Sequence, residues 1–165
     1  MNEERKETEI PVGTETPVIP EKVERKGTYA AYYTSKEKEE EGAWVTLMDG
    51  SEWKLSRTSS KRAQEALRKA QQPFQNITQR ADRRGGQVPT EIQDQININW
   101  IMNGIVQEWK GVTDREGKEV PCSKENKAKV RQILMDLPDM QVDLILEAAK
   151  AAHYQEEQDE NNLGN

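Results

Sequence analysis

The side chains that could do chemistry are few in this chain of 165 residues, and they lie far apart in the sequence. The chain has one histidine, His153, and one cysteine, Cys122. Nucleophilic catalysis needs a base beside the attacking serine or cysteine. Cys122 could be a reactive thiol at a helix start. His153 falls on the inner edge of a predicted helical stripe, so a structural role is expected for it instead of that of a base. A single cysteine also excludes an intramolecular disulfide and a cysteine-rich zinc site.

The carboxylates of this chain are plentiful, but none forms the spaced pair in an apolar setting that acid–base catalysis needs. Asp114, Glu116 and Glu119 near Gly117 resemble a calcium loop only loosely, because the alternating oxygen ligands and the closing glutamate are missing. Residues 80–86 contain arginines and two glycines, but no strand precedes them as in a phosphate loop, so a flexible basic linker is predicted. The sequence therefore predicts a protein that is not an enzyme and that needs no cofactor or metal.

The composition favours a protein that works by binding. The chain is 33% charged and only 33% hydrophobic, with a formal net charge of −6. Globular domains are about 45–50% apolar including glycine, so part of the chain is expected to stay unfolded or to depend on a partner. An acidic balance argues against nucleic acid as that partner. The absence of a run of about 18 apolar residues and of a secretory pattern argues against a membrane.

Composition also divides the chain into three parts. Residues 1–28 are rich in Glu, Thr, Pro and Lys and are predicted to be a disordered arm. Residues 29–158 are predicted to form a single small domain, and residues 159–165 a polar tail. Within the domain, the charge run over residues 36–41 is predicted to be a solvated loop.

A β-hairpin is predicted over residues 43–57, because Asp49-Gly50 is a strong turn signal between flanks rich in Trp, Val, Thr and Leu. A two-residue turn at this position places Trp44 opposite Leu55. The face predicted to be buried then consists of Trp44, Thr46, Met48, Trp53 and Leu55. The opposite side, with Val45, is left for a third strand or a loop to cover. Helices must pack on the hairpin, since a lone hairpin is marginally stable.

Helical spacing of apolar residues predicts helices over residues 59–79, 90–110, 124–136 and 139–156. Ser59 can cap the first helix, and Pro73 predicts either a kink or a short second segment within it. Ser123 and Asp139 can cap the last two helices. The stripe predicted to be buried in the last helix consists of Val142, Ile145, Leu146, Ala149, Ala152 and His153. The predicted fold is α+β and mainly α, with an N-terminal hairpin packed on a small bundle of about four helices.

The helix over residues 90–110 is apolar on two sides. One side is assigned to the core and consists of Ile98, Ile101, Met102, Ile105 and Trp109. The other side consists of Ile92, Ile96 and Trp100, which are the candidate partner-binding residues, with core packing as the alternative. Gly104 costs helix stability of about 1 kcal/mol relative to alanine, which indicates close approach of another backbone.

Several short motifs lie along this chain's turns and helix ends. The motifs are Gly42-Ala-Trp-Val-Thr-Leu with Asp49-Gly50, Trp109-x-Gly-Val-x-Asp with Gly117, Val120-Pro-x-Ser with Asn126, Leu137-Pro-Asp, and Asn162-Leu-Gly-Asn. In this succession the chain resembles a group of small proteins encoded in the tail modules of long-tailed bacteriophages. The resemblance covers about residues 42–165. The motifs are turns and helix ends without a catalytic residue, so no site residue is carried over.

Proteins of this group are generally regarded as tail assembly chaperones, which are thought to coat the tape-measure protein while the tail tube polymerises. The resemblance implies a non-enzymatic phage tail assembly factor that binds apolar helical segments of the tape-measure protein. Its partners would be other phage tail proteins, with homo-oligomerisation left open, and its location would be the cytoplasm of the infected bacterial host. The alternative is a structural virion protein, such as a head-tail connector or a tail-completion component.

Overall fold

The computed structural model describes residue 29 and residues 32–155, and the predicted arm and tail lie outside the described residues. The described part is mainly helical with a small three-stranded antiparallel sheet, which confirms the predicted fold class. The helices are α1 (Lys36–Glu41), α2 (Lys61–Gln71), α3 (Gln75–Arg84), α4 (Thr90–Trp100), α5 (Lys127–Asp136) and α6 (Pro138–Ala149). The strands are β1 (Ala43–Thr46), β2 (Glu52–Leu55) and β3 (Val106–Lys110). Turns of 3-10 helix cover Gln72–Phe74 and Ala151–Tyr154, and a π-helical turn covers Ile101–Ile105.

The strands β1 and β2 form the predicted hairpin around a loop of three residues instead of two. The N–H of Leu47 donates to the carbonyl of Ser51 at 2.9 Å, which leaves residues 48–50 as the loop. Gly50 takes a positive φ of 84°, which suits the last position of a three-residue loop. The Asp49 carboxylate accepts from the backbone N–H and the hydroxyl of Ser51, at 3.0 and 2.6 Å. The extra loop residue shifts the pairing by one position.

A one-residue shift exchanges the two faces of a strand, because side chains alternate along it. Val45 therefore lies opposite Trp53 and is buried on the same face as Trp53, whereas the prediction placed it on the opposite face, to be covered by a third strand or a loop. Of the five residues predicted to be buried, Trp53 and Leu55 are fully buried, whereas Trp44, Thr46 and Met48 are exposed. The predicted face was correct for β2 and wrong for β1.

The helix predicted over residues 90–110 ends ten residues early, so this prediction was wrong beyond Trp100. After α4 the chain forms the π-helical turn, at whose end the N–H of Val106 donates to the carbonyl of Ile101. The π-helix is rare and occurs mostly as single turns of this kind. The turn redirects the chain towards the sheet.

The strand β3 supplies the third strand of the sheet. It pairs antiparallel with β2 and places Val106 opposite Leu55 and Trp109 opposite Trp53. The indole rings of the two tryptophans lie 6.4 Å apart, centre to centre. Val and Trp are favoured in strands, and these side chains reach β2 only in the extended conformation. Cross-strand packing therefore outweighs the helical spacing that the sequence shows here.

The helix α2 begins at Lys61, and its cap is Ser60 and not the predicted Ser59, because the hydroxyl of Ser60 accepts a backbone N–H of the first turn. Pro73 lies in a 3-10 turn, after which the helix resumes as α3, so the predicted second segment is confirmed. The helix α3 continues to Arg84 and ends at Gly85 with a positive φ of 62°. The flexible linker predicted from residue 80 was therefore wrong as far as Arg84.

Small residues bring α2 close to α4 and to the π-helical turn. Ala63, Ala66 and Ala70 are buried on this side of α2. A Cβ atom built on Gly104 would lie 2.6 Å from the Cβ of Ala66 and 3.1 Å from the Cα of Ala63. The close approach predicted from Gly104 is confirmed.

The α5–α6 pair is shorter than predicted. The helix α5 starts at Lys127 because Ser123 holds a separate turn, in which its hydroxyl accepts from the N–H of Asn126 at 3.3 Å. The helix α6 starts at Pro138, since a proline fits the first helical position. It ends at Ala149 instead of residue 156, and a 3-10 turn follows.

The helix α6 is rotated relative to the prediction. Its buried residues are Gln141, Leu144 and Ala148, whereas Val142 and Leu146 are exposed. The side-chain amide of Gln141 donates to the carbonyl of Leu134 in the last turn of α5, at 2.7 Å. This bond satisfies a carbonyl at a helix end and is made only when Gln141 faces α5. The predicted burial of Val142, Leu146, Ala149 and Ala152 was wrong, and Ile145 and His153 are partly buried.

The charge run over residues 36–41 forms a helix, so the predicted loop was wrong. The hydroxyl of Ser35 accepts from a backbone N–H of the first turn of α1. Glu39 points inwards and is 1% exposed, and its charge is compensated by Arg57. The N–H of Ser35 also donates to the carbonyl of Tyr154 at 2.8 Å, which joins α1 to the C-terminal turn.

The core joins β2 and β3 to the π-helical turn and to the α5–α6 pair. All members of the face of residues 90–110 that was assigned to the core are buried, although they now belong to three different elements. Among the described residues, the largest fully buried apolar side chains are Trp53, Trp109, Tyr154, Leu55, Ile98, Ile101, Ile105, Leu134 and Leu144.

Candidate functional site

The three predicted partner-binding residues lie along α4. Ile96 is 2% exposed, and Ile92 and Trp100 are half-buried. The indole N–H of Trp100 donates to the carbonyl of Ala63 in α2 at 3.0 Å. In this conformation Ile96 has almost no surface to offer, and Trp100 is engaged within the chain. Partner binding through these three residues stays a prediction.

Apolar side chains are exposed around the corner between α5 and α6 instead. Met135 and Leu137 are each 48% exposed, Val142 is 53% exposed and Leu146 is 56% exposed. Val142 and Leu146 are one helical turn apart and share a face of α6. Single exposed apolar residues are normal, but four within twelve residues are typical of an interaction site. We refer to these four residues as the α5–α6 apolar surface.

One feature of the sequence indicates this surface, although the predicted stripe placed Val142 and Leu146 in the core. The helix α6 carries apolar residues around most of its circumference, including Met140, Val142, Leu144 and Leu146. A helix with one core face cannot bury such a set. The excess predicts an exposed apolar side, but only the Gln141 contact with α5 decides which side it is.

A second group of exposed apolar side chains consists of three tyrosines that precede β1 and one tryptophan within it. Tyr29 and Tyr32 are 70% and 73% exposed, and Tyr33 and Trp44 are about half exposed. The ammonium group of Lys110 lies 4.1 Å from the centre of a Trp44 ring, a cation–π contact that covers part of this face within the chain.

His153 and Cys122, the residues with basic and nucleophilic potential, lie in different surroundings. The Nε2 atom of His153 lies 2.7 Å from Oε2 of Glu147, and its ring packs edge-on against Tyr154. Hydrogen bonds from Lys150 and then from His153 lower the pKa of the Glu147 carboxyl. Cys122 is exposed. The contact between His153 and Glu147 fastens the end of α6 to the turn that follows it.

The loop that connects β3 to α5 uses the Asp114 carboxylate as a structural acceptor. It accepts from the backbone N–H groups of Glu116 and Lys118 at 3.1 and 2.9 Å, and from the Lys129 ammonium at 2.7 Å. These bonds, with that from Lys129 the strongest, lower the pKa of Asp114. No cluster of three potential metal-ligating side chains exists within residues 29 and 32–155. The loop therefore fixes the position of α5 relative to β3.

An open groove of about 610 Å³ lies between α2 and the end of α4. Its floor includes Ala66 and Ala70. Its sides carry two cations, Arg62 and Lys69, and two carboxamides, Asn99 and Asn103. The groove thus combines apolar with charged and carboxamide side chains, whereas the α5–α6 apolar surface carries no charge.

In the part of the chain that the structure describes, no helix is both long enough and apolar enough to cross a bilayer. The described residues form a small, mainly helical α+β protein with an exposed apolar surface on its C-terminal helices.

Comparison with known proteins adds the family. Residues 58–165, more than half of the chain, match the model of the family described as YdaY prophage protein, and the chain belongs to this family. It is therefore a phage-associated protein. No curated protein and no solved structure matches the chain. The matched segment includes the α5–α6 apolar surface and the groove, whereas β1 and β2 precede it.

Proposed function

We propose that this protein is a non-enzymatic assembly factor of the phage tail, a chaperone that binds apolar helical segments of the tape-measure protein. Membership of a prophage protein family supports a role in the phage life cycle. The observation that carries the binding role is the α5–α6 apolar surface, which remains uncovered in a chain with a mean hydropathy of −1.01. The other tail proteins are the remaining candidate partners.

The size of this surface fits weak and reversible binding. Full burial of one large aliphatic side chain contributes about 1.5–3 kcal/mol, so covering the exposed half of each of the four contributes about 3–6 kcal/mol in total. That corresponds to millimolar or high micromolar affinity for one site before any cost of association. Many copies that bind along one long partner would gain affinity from multivalency. Such weak contacts can be displaced when the tail tube assembles.

Peptides from the apolar helices of the tape-measure protein of the same prophage test this proposal in a titration followed by fluorescence anisotropy. The double variant Val142→Asp/Leu146→Asp is expected to weaken binding at least tenfold, because it places two charges on the apolar face of α6. Met48→Asp is the matched control, since Met48 is a fully exposed apolar residue on the hairpin loop. Absence of binding by the wild type, or equal loss in both variants, would contradict the proposal.

The location of the protein after assembly distinguishes a chaperone from a structural component. We expect mass spectrometry of purified virions to find the tail-tube protein but not this chain. Its presence at a fixed ratio to the tail-tube protein would support the structural alternative, a head-tail connector or tail-completion component.

A further inference from the structure

The helices α2 and α3 are positively charged in an otherwise acidic chain. Residues 61–84 contain seven basic and two acidic side chains, a net +5 within a chain of net −6. The groove between α2 and the end of α4 lies on this basic segment. Two of the side chains that line it, Arg62 and Lys69, are cations in an acidic chain, which favours an anionic occupant.

One cation of the groove, Arg62, is not paired with a carboxylate among the described residues. Glu65 also lines the groove, but it is paired with Arg68 at 2.8 Å and Lys69 at 3.5 Å. Arg62 has no carboxylate partner among the described residues, and its guanidinium reaches only the carbonyl of Val106 at 3.5 Å. The uncompensated charge of the groove is therefore positive and is centred on Arg62.

The opposite side of the groove offers hydrogen bonds that suit a peptide backbone. Asn99 and Asn103 stand four residues apart, and neither carboxamide has a hydrogen-bond partner among the described residues. Each carboxamide carries a donor and an acceptor, the same pair that a peptide group presents. The alanines of the floor leave room for a chain to lie between the two sides. The chemistry fits an extended polypeptide with carboxylate side chains.

We propose that this groove binds an acidic extended peptide segment, and that its occupant is residues 156–165 of the same chain. This segment contains four carboxylates, Glu156, Glu157, Asp159 and Glu160, followed by two asparagines. Its charge complements Arg62 and Lys69, and its backbone complements the two carboxamides. The inference goes beyond the proposed function, because it concerns a different surface and needs no phage partner.

The point at which the described chain ends allows this contact. The carbonyl of Tyr154 accepts from Ser35 at the start of α1, and at the other end of α1 the Glu40 carboxylate accepts from the N–H groups of Lys61 and Arg62. Tyr154 and the start of α2 therefore contact opposite ends of α1. This helix has six residues and is about 9 Å long at 1.5 Å per residue. Ten extended residues span up to about 33 Å. The segment is long enough to reach Arg62 and to pass Lys69.

Covalent attachment makes a weak contact sufficient. A tethered segment is present at an effective concentration of about millimolar. A few exposed ion pairs and hydrogen bonds, each of modest strength in water, can then populate the bound state. The contact should also be sensitive to salt, because the Debye length falls from about 10 Å at 0.1 M to about 3 Å at 1 M.

Paramagnetic NMR on the full chain tests the proposal. Cys122→Ser removes the exposed thiol, and Gly164→Cys carries a nitroxide label. We expect the label to broaden the side-chain amide signals of Asn99 and Asn103 at low salt and to lose this effect at 1 M salt. A sample in which the label and the NMR isotope are on different chains separates this contact from one made by a second copy.

Charge reversal supplies the matched variants. Arg62→Glu/Lys69→Glu is expected to abolish the broadening, whereas Arg83→Glu/Arg84→Glu, with the same charge change on α3 outside the groove, is expected to keep it. All four side chains are exposed, so the dispersion of the backbone amide signals should stay unchanged. Changing the four carboxylates of residues 156–165 to lysine should restore broadening in the first variant. No broadening in the parent, equal loss in both variants, or broadening only between chains would overturn the proposal.

Discussion

The Arg57 guanidinium and the Glu39 carboxylate form an ion pair inside the protein. Arg57 Nη1 lies 2.5 Å from Glu39 Oε1, and the Glu39 side chain is 1% exposed. The N–H of Arg57 also donates to the carbonyl of Glu39 at 3.0 Å, so the backbones are joined as well. The pair fastens α1 to the segment that follows β2, and α1 in turn holds the C-terminal turn at Tyr154.

Removal of the cation should destabilise the protein strongly. Arg57→Met leaves the buried Glu39 carboxylate with only Thr34 and the largely exposed Lys36 as partners, and removing one partner of a buried ion pair typically costs about 3–5 kcal/mol. The free energy of unfolding from urea titrations at pH 7 measures the loss. The double variant Arg57→Met/Glu39→Gln should lose less than the sum of the two single variants, because no unpaired charge remains. A loss below about 1 kcal/mol in Arg57→Met would show that solvent reaches the carboxylate.

The same carboxylate should make stability depend on acid. Burial opposes ionisation of Glu39, but hydrogen bonds from Thr34, Arg57 and Lys36 outweigh it, and its pKa is held below the ordinary value of 4.5. The unfolded chain therefore binds the proton more readily than the folded one. The stabilisation is complete above pH about 4.5 and is lost as the pH falls through the lower folded-state pKa.

Comparison with Glu39→Gln isolates this dependence from the other carboxylates with lowered pKa values, which are Glu65, Asp114, Glu125 and Glu147. The difference in free energy of unfolding between wild type and variant should be constant from pH 7 to pH 5 and should shrink below pH 4.5. Urea titrations at four pH values measure it. A difference that stays constant down to pH 3 would contradict the assignment to Glu39.

Sequence patterns predicted the elements of this fold better than their faces. The apolar stripe after residue 90 is real, and all its core members are buried, but its last part belongs to β3. Period 3.6 and an extended strand are hard to distinguish over five residues, so only the pairing of Val106 and Trp109 with β2 decides. In β1, one extra loop residue reverses which side chains are buried.

The candidate surface was less predictable, because it depends on how α6 rotates against α5. Local sequence places Val142 and Leu146 on an apolar stripe, as it does Leu144 and Ala148. The choice between the two sides depends on the contact of Gln141 with the carbonyl of Leu134, seven residues earlier. Nothing in the local sequence indicates that the polar side chain of Gln141 will face inwards to satisfy a carbonyl at a helix end.

The close contact at Gly104 should be sensitive to a single methyl group. In Gly104→Ala the new Cβ would meet Ala66 Cβ at 2.6 Å and Ala63 Cα at 3.1 Å, and both belong to the backbone-proximal part of α2. Overpacking of this kind costs about 1–3 kcal/mol. Thermal unfolding followed by circular dichroism measures the change. Ala66→Gly in the same chain should recover part of the loss, and strictly additive effects would show that the two residues do not touch.

Trp100 should contribute to folding, whatever its role in binding. Its indole N–H donates to the carbonyl of Ala63, and its half-buried ring packs against the core cluster. Trp100→Ala should lower the free energy of unfolding by about 2–3 kcal/mol, less than the 3–5 kcal/mol typical of a fully buried tryptophan. Trp100→Phe keeps most of the ring contacts and removes one hydrogen bond, so it should lose about 1 kcal/mol. Val142→Ala, at an exposed position, should change stability by less than about 0.5 kcal/mol.

The free energies of unfolding of these variants matter for comparing binding at the α4 residues with binding at the α5–α6 apolar surface. Loss of tape-measure binding in Trp100→Ala can arise from partial unfolding, so binding should be compared between Trp100→Phe and Val142→Asp/Leu146→Asp at a temperature where both are folded. If the α4 residues form the partner site, Trp100→Phe weakens binding and the α6 variant does not. If the α5–α6 apolar surface forms it, as we propose, the result is the reverse, and the unfolding curves of both variants show that each remained folded.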